Sequence, residues 1–407
     1  MLKLQSDLCY GCTACVSICP TKCIEMVDSG EGFLIPKLKS EAQCINCDLC
    51  NRVCPAVNIK EEKPQPQKGY IVQNTDEKIR KESTSGGAFS AIAAKTIKDG
   101  GVVYGAAYDQ DYNVVHVCIE DEKDLWKLRN SKYVQSELRD TFNTIKNQLE
   151  KGIKVCFSGT PCQVEGLSAF LKKDYENLIS VDVVCHGIGS PLIWRKYLEL
   201  QNGKLPAHIY FRWKHYGYKY STMSFLNEGK ETYFAGVESD PMLRAYFTNN
   251  CDRKTCYNCA FKKRYRVADI TIWDCFQPKI FDKSFDDDKG TTSVLIHSKK
   301  GSKTFDEVLG ENTLKYCEVE PDELVFGNNE MVNSVVCGKE RDGLLRDAKT
   351  MTSQELFSKY FPNSFASRVK KTIRIFLLKS GMYRKVKYVL FLIRRKKQRN
   401  ISTQKGE

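Results

Sequence analysis

Between Cys9 and Pro55 one pattern is written twice. Cys9, Cys12, Cys15 and Cys19, followed by Pro20, read C-x2-C-x2-C-x3-C-P, and Cys44, Cys47, Cys50 and Cys54, followed by Pro55, repeat it at an offset of 35 residues. Three thiolates this closely spaced on one tight loop can grip three corners of an iron–sulfur cubane, and the fourth corner must come from elsewhere. If each loop lends its last cysteine to the other, one [4Fe–4S] cluster takes Cys9, Cys12, Cys15 and Cys54. The other takes Cys44, Cys47, Cys50 and Cys19. The proline after each fourth cysteine turns the chain away and carries no N–H. Structural zinc also uses four thiolates, but this doubled x2, x2, x3 spacing is not its pattern. Cys23 fits neither set and reads as a small buried hydrophobe.

The spacing resembles that of bacterial two-cluster ferredoxins, so residues 1–60 are expected to form a small ferredoxin-like domain. The chain carries 19 cysteines, an odd number, and the stretch before Cys9 has no apolar core of a signal peptide. Metal ligands or redox thiols in a reducing cytoplasm are therefore expected rather than a disulfide framework. At 407 residues, 42% hydrophobic and 28% charged, the chain can bury a sizeable core, which excludes disordered and fibrous classes. Its longest apolar run, Tyr388 to Ile393, falls far short of the ~20 residues of a membrane span.

Charge is distributed unevenly. The net +13 is carried by residues 366–407, with 14 basic residues and one acid, Glu407. A neutral body speaks against a nucleic-acid footprint on the folded domains. In the tail, Val369, Ile373, Phe376 and Leu377 share a helical face opposite Lys370, Lys371 and Arg374, which suits peripheral contact with an anionic membrane surface. A solvated terminal helix is the alternative.

Residues 61–68, EEKPQPQK, read as a linker. Beyond it, strands and helices alternate. Strand patterns at 70–73, 102–108, 114–119, 154–157, 179–184, 270–273 and 293–297 are interleaved with helical ones at 85–101, 141–151, 163–171 and from Pro191. Such alternation implies a mixed α/β domain with a partly parallel sheet. The expected fold class is thus α+β or α/β: a ferredoxin-like unit, then a larger mixed α/β, flavin-binding domain over 69–350, then a basic tail over 351–407. Between residues 209 and 235 the strand-like stretches are shorter, and Arg212, Lys214, His215 and Lys219 stand among aromatics. These line either a pocket for an anionic or planar molecule or an amphipathic hairpin.

Further cysteines stand where a parallel sheet places ligands. Cys162 and Cys185 each follow a strand, at the carboxyl edge. Cys256 and Cys259 form C-x2-C, with Cys251 five residues ahead. Spacing leaves two readings open. Cys162, Cys185, Cys256 and Cys259 hold a third [4Fe–4S] cluster, with Cys251 in reserve, or these are buried cysteines and a zinc knuckle.

A series of segments resembles the coenzyme F420 hydrogenase/dehydrogenase beta-subunit family in order and content. They are STSGGAFSAI (83–92), GGVVYGAAYD (100–109), SKYVQS (131–136), SGTPCQVEGL (158–167), VVCHGIGSP (183–191), CYNCAFK (256–262) and ADITIWD (268–274). The resemblance implies a flavoprotein holding FAD and one [4Fe–4S] cluster, exchanging electrons with a redox partner protein or a small donor. It favours the third cluster. It also implies that bacterial relatives with an N-terminal ferredoxin often accompany surface-polysaccharide genes. Where the family usually reads G-D-F-W-G, the sequence has Trp273, Asp274, Cys275, Phe276 and Gln277, so both glycines are lost, which bears on a deazaflavin site more than on the flavin.

For the flavin, Ser85, Gly86 and Gly87 open a helix whose free N–H groups suit a pyrophosphate. Lys132, Tyr133 and Gln135 offer a cation, a stacking ring and an amide. Asp274 offers an acceptor, and His186, beside Cys185, a proton donor for catalysis. No G-x-G-x-x-G fingerprint supports a dinucleotide site of the Rossmann type. Two functions remain: an iron–sulfur flavin-dependent oxidoreductase, or an electron-transfer subunit without a substrate of its own.

Overall fold

The computed structural model of the chain describes residues 6–201 and 206–404. In the N-terminal unit β1 (Ile24–Asp28) and β2 (Leu34–Leu38) pair as an antiparallel ribbon. Each cysteine run wraps a one-turn helix, Ala14–Ser17 in the first repeat and Leu49–Arg52 in the second. The residues before these turns, Thr13 and Asp48, occupy equivalent places in the repeat and are both left-handed, at φ 61°. The linker lies along the body, where the Gln65 amide donates to the Arg266 carbonyl at 3.1 Å.

The body contributes β3 (Lys68–Asn74), β4 (Val102–Tyr108), β5 (Val114–Ile119), β6 (Val155–Gly159), β7 (Leu178–Val183), β8 (His208–Trp213), β9 (Thr222–Asn227), β10 (Lys230–Gly236), β11 (Ile270–Asp274), β12 (Thr292–Ile296) and β13 (Leu314–Val319). Eight strands form one sheet in the order β13-β3-β12-β11-β7-β6-β4-β5. At its centre β4, β6, β7 and β11 run parallel. The flanking strands pair antiparallel on both sides.

Alternate residues of the central strands feed two cores, as the two-residue period of a strand requires. Val103 and Cys156 meet the helices Ala88–Lys98 and Lys299–Gly310 on one face. Tyr104, Val155 and Phe157 meet the helices Thr141–Glu150 and Pro161–Leu171 on the other. A sheet covered on both faces explains the near-continuous apolar strands.

The stretch around residues 209–235 is an antiparallel meander, β10-β9-β8. It packs with the helices Pro191–Glu199 and Pro241–Phe247 in a third core. That core also takes Leu356, Phe357 and Phe361 from the helix Ser353–Tyr360 and its end. The body therefore continues through Phe361, past the residue 351 at which the tail was expected to begin. Two helices follow, Phe365–Lys379 and Met382–Gln404. Among the described residues no helix is long and apolar enough to cross a membrane.

Parallel strands place their carboxyl ends on one edge. Thr160 and Cys162 follow β6, Cys185 and His186 follow β7, and Asp274 ends β11. This is the edge at which open α/β sheets place their ligands.

Candidate functional site

Three groups of thiols come together. In the first, burial pushes the Cys15 thiol up, with Cys9, Cys54 and Cys50 adding to the effect. Burial likewise raises Cys12, beside Cys15, Cys9 and Cys162. The four cysteines assigned to one cluster thus stand as neighbours, with Cys54 arriving from the second repeat. In the second group, Cys19, Cys44 and Cys50 pack around buried Cys23, and Cys47 is exposed. Cys23 is a buried residue as expected, but its sulfur lies 3.5 Å from that of Cys19, against the second group.

The third group joins residues far apart in sequence. Burial raises the Cys185 thiol, with Cys162 and Cys259 close enough to add to it. Cys256 is raised by burial and then by Cys185, Cys259 and Cys162. Burial raises all four, so they stand as neutral thiols unless a cation or a cluster takes the place of their protons. Cys251, the reserve ligand, is elsewhere. It is fully buried in the core beside the Pro191–Glu199 helix. Among the described residues no three Cys, His or carboxylate side chains converge tightly enough for a single ion.

The first and third groups touch. Gly166, on the helix that carries Cys162, is so close to the N-terminal unit that an added Cβ would lie 2.7 Å from Cys12 Cβ and 2.9 Å from Cys12 Sγ. Arg253 locks the junction. Its Nε donates to the Cys9 carbonyl at 2.7 Å and its Nη2 to the Leu34 carbonyl at 2.9 Å. Tyr10 lies edge-on to Phe261 at 4.6 Å, between the Cys9 loop and the Cys256–Cys259 loop.

Beyond the third group opens a cavity of about 990 Å³, lined in part by Cys185 and His186. Of the residues expected at a flavin, Ser85, Gly87, Lys132, Tyr133 and Asp274 line it. The start of the Ala88–Lys98 helix opens onto it through Ala88, Phe89 and Ser90. Lys132 Nζ donates to the Arg129 carbonyl at 3.0 Å, and burial pushes its pKa down to about 7.

Gly86 and Gln135 have protein partners of their own. Gly86 is not among the lining residues: its N–H donates to Thr292 Oγ1 at 2.8 Å, and a Cβ there would strike the Val72 carbonyl at 2.4 Å. Packing against β3 and β12 explains that glycine. Gly87 adopts φ +84°, and a Cβ on it would stand 3.0 Å from Asn74 Cβ. Gln135 points to the N-terminal unit, accepting from Leu34 N and Arg253 Nη1, both at 3.1 Å.

Two further side chains have partners already. Tyr133 is stacked on Tyr246 at 4.2 Å, so one face of the expected platform is taken. Asp274 accepts from Arg212 Nη1 at 3.1 Å and from the Tyr218 hydroxyl at 2.8 Å. Phe276, at the departure from the family pattern, stacks on Tyr218 at 5.2 Å.

His186 bonds Glu330 Oε1 at 3.2 Å and Asn249 Oδ1 at 2.8 Å. Burial works against its charged form, but Glu330, Asn249 and Asp252 together outweigh it and lift its pKa. Sequence reasoning passed over Asp252. Among the described residues neither of its carboxylate oxygens has a hydrogen-bond partner, and burial pushes its carboxyl up to about 7. It packs on Gly187, one residue beyond His186, where an added Cβ would stand 3.0 Å from its Cγ. A charged residue directly after a buried cysteine was the available signal.

Three family models match the chain. A 4Fe-4S dicluster domain covers residues 8–59, the N-terminal part of the coenzyme F420 hydrogenase/dehydrogenase beta subunit covers 70–142, and its C-terminal part covers 152–322. A coenzyme F420-dependent sulfite reductase of Methanocaldococcus jannaschii is 26% identical over 169 residues, 40% of this chain and 25% of that protein. A polyferredoxin-like protein of the same organism is 36% identical over 64 residues, 14% of this chain and 38% of that protein. The chain thus spans about a quarter to two fifths of the length of these relatives. A chain of the F420-reducing [NiFe] hydrogenase complex from Methanosarcina barkeri superposes with a TM-score of 0.45 at 16% identity, covering 73% of this chain and 94% of that one.

Proposed function

The chain belongs to the coenzyme F420 hydrogenase/dehydrogenase beta-subunit family and carries a 4Fe-4S dicluster domain, and from that premise we propose that it is an iron–sulfur flavoprotein oxidoreductase. The observation that carries the reading is the succession of sites. The exposed end of the N-terminal unit, at Cys47, leads to the Cys9 group, then across the Gly166 contact to the Cys162 group, then through Cys185 to the cavity. A redox partner protein docks at the first end and a substrate enters at the last.

In this reading the three thiol groups each hold a [4Fe–4S] cluster and the cavity holds FAD. The helix start at Ala88–Ser90 and the Lys132 ammonium receive its phosphates. A bound flavin supplies the exchange between one-electron carriers and a two-electron substrate. His186, held by Glu330 and Asn249, positions a proton at the mouth of the third group. A carrier subunit without a substrate is the alternative, and the size of the cavity favours a substrate of its own.

The test uses the full chain under anaerobic conditions. A reduced ferredoxin should bleach the bound flavin, and Cys162→Ser should stop that bleaching while the N-terminal clusters remain. Equal bleaching by the variant defeats the ordering.

A second reading concerns the tail. On the helix Met382–Gln404, Val386, Val389 and Ile393 are exposed, as are Ile373 and Phe376 on the helix before it. Lys370 and Lys385 are exposed near them, and Lys371 is half-buried. An apolar face bordered by lysines suits an anionic leaflet, at about 1 kcal/mol for each cation engaged. We propose that the protein attaches there peripherally, on the cytoplasmic side. Salt-sensitive cosedimentation with anionic vesicles, lost when residues 366–407 are removed, is expected; equal binding by the truncated chain sinks the idea.

A further inference from the structure

Only part of the tail faces outward. In the Met382–Gln404 helix, Tyr383, Lys387, Phe391 and Arg394 follow at intervals of three and four, so they share one side, and all four line the cavity. That side is fixed to the body. Tyr383 is buried beside Tyr220, Arg384 pairs with Asp286 at 3.2 Å, and Arg399 pairs with Glu323 at 2.8 Å. Arg374, from the preceding helix, also lines the cavity and pairs with Glu238.

The charges on this wall are unbalanced. Lys387 stands near enough to Arg374 and Arg394 that both depress its pKa, after burial. Among the described residues neither Lys387 nor Arg394 has an ion-pair partner, and the carboxylates lining the cavity are Asp274 and Glu330. Asp274 is held by Arg212 and Glu330 by His186. Three cations at one place, with one carboxylate among them, make a receptor for a compact multivalent anion.

We propose that Arg374, Lys387 and Arg394 form an anion site on the tail wall of the cavity that receives the phosphate or diphosphate group of the substrate. This rests on the reading of the cavity as the redox site and names the substrate class: a phosphorylated molecule whose reacting part faces the flavin. The flavin's own phosphates lie at the Ala88–Ser90 helix start, a separate segment of the wall.

The experiment is calorimetric titration of the flavin-loaded full chain with inorganic pyrophosphate. One site per chain is expected, weakening as salt rises. The double variant Lys387→Gln/Arg394→Gln should weaken it at least tenfold with iron and flavin content unchanged. Lys396→Gln/Lys397→Gln, on the same helix but away from the cavity, should bind as the parent does. Absence of a single pyrophosphate site in the parent overturns the proposal, as does equal weakening in both double variants. Flavin loss in the Lys387→Gln/Arg394→Gln variant also overturns it, because the cations then serve the cofactor. Failure of the oxidoreductase reading shows separately, as a parent protein without flavin absorbance.

Discussion

Replacing Gly166 by alanine sets two effects of opposite sign against each other. Alanine in a helix interior is favoured over glycine by about 1 kcal/mol, and Gly166 lies inside the Pro161–Leu171 helix without a left-handed φ. Against that, the new Cβ falls 2.7 Å from Cys12 Cβ and 2.9 Å from Cys12 Sγ. To regain an ordinary contact of 3.4 Å the Cys12 loop must retreat by about 0.7 Å. Overpacking of this kind costs about 1–3 kcal/mol. The loop cannot yield freely, because Arg253 holds Cys9 and Leu34 through hydrogen bonds. The net expectation is a destabilisation of about 1 kcal/mol, with slower electron transfer from the N-terminal unit to the flavin. Gly310→Ala is the control: an added Cβ meets nothing within 4 Å there, so it should be neutral or stabilising. Thermal melts of the anaerobic full chain, followed by circular dichroism, give the comparison. If Gly166→Ala is stabilised as much as Gly310→Ala, the two units do not meet as described and the ordering of the thiol groups fails with them.

Two other outcomes follow from the same geometry. Cys256→Ser should lose about four iron atoms per chain, whereas Cys251→Ser should keep them all while losing stability from a buried hydroxyl, by about 1–3 kcal/mol; iron analysis of both decides whether Cys251 is a ligand. Lys132, with its pKa pushed down to about 7, is charged below that pH and neutral above it, so flavin affinity should fall as pH rises through 7, by up to about tenfold per unit. Flavin titrations of the deflavinated protein between pH 6 and 8.5 check this, and Lys132→Met should flatten the profile.

The parts of this molecule legible in the sequence are those written locally. The doubled cysteine spacing is local, and so are the strand patterns of β4, β5, β6 and β7, whose apolar runs match the elements found. Cys162, Cys185, Cys256 and Cys259 were gathered from loop positions and a resemblance, and the structure makes them neighbours.

What local patterns do not contain is long-range. Gly86 is a glycine because of Val72 and Thr292, the latter more than 200 residues away, and no helix-start pattern contains that. Gln135 sits in a flavin-like segment, but its amide is claimed by Leu34 and Arg253. Cys251 looks like a ligand by spacing and is a core residue by packing. In the tail, hydropathy located the outward apolar face. It could not show that the opposite face, with Lys387 and Arg394, closes a cavity formed mostly by the body.

In the proposed reading three four-iron clusters and one flavin share this chain. Iron, acid-labile sulfide and flavin counted on the same anaerobically purified full-length sample test it most directly. About twelve iron, twelve sulfide and one flavin per chain are expected, with four of the iron lost in Cys162→Ser. A count near eight iron that Cys162→Ser leaves unchanged would contradict the third cluster, and a sample with full iron but no flavin would contradict the cavity's assignment.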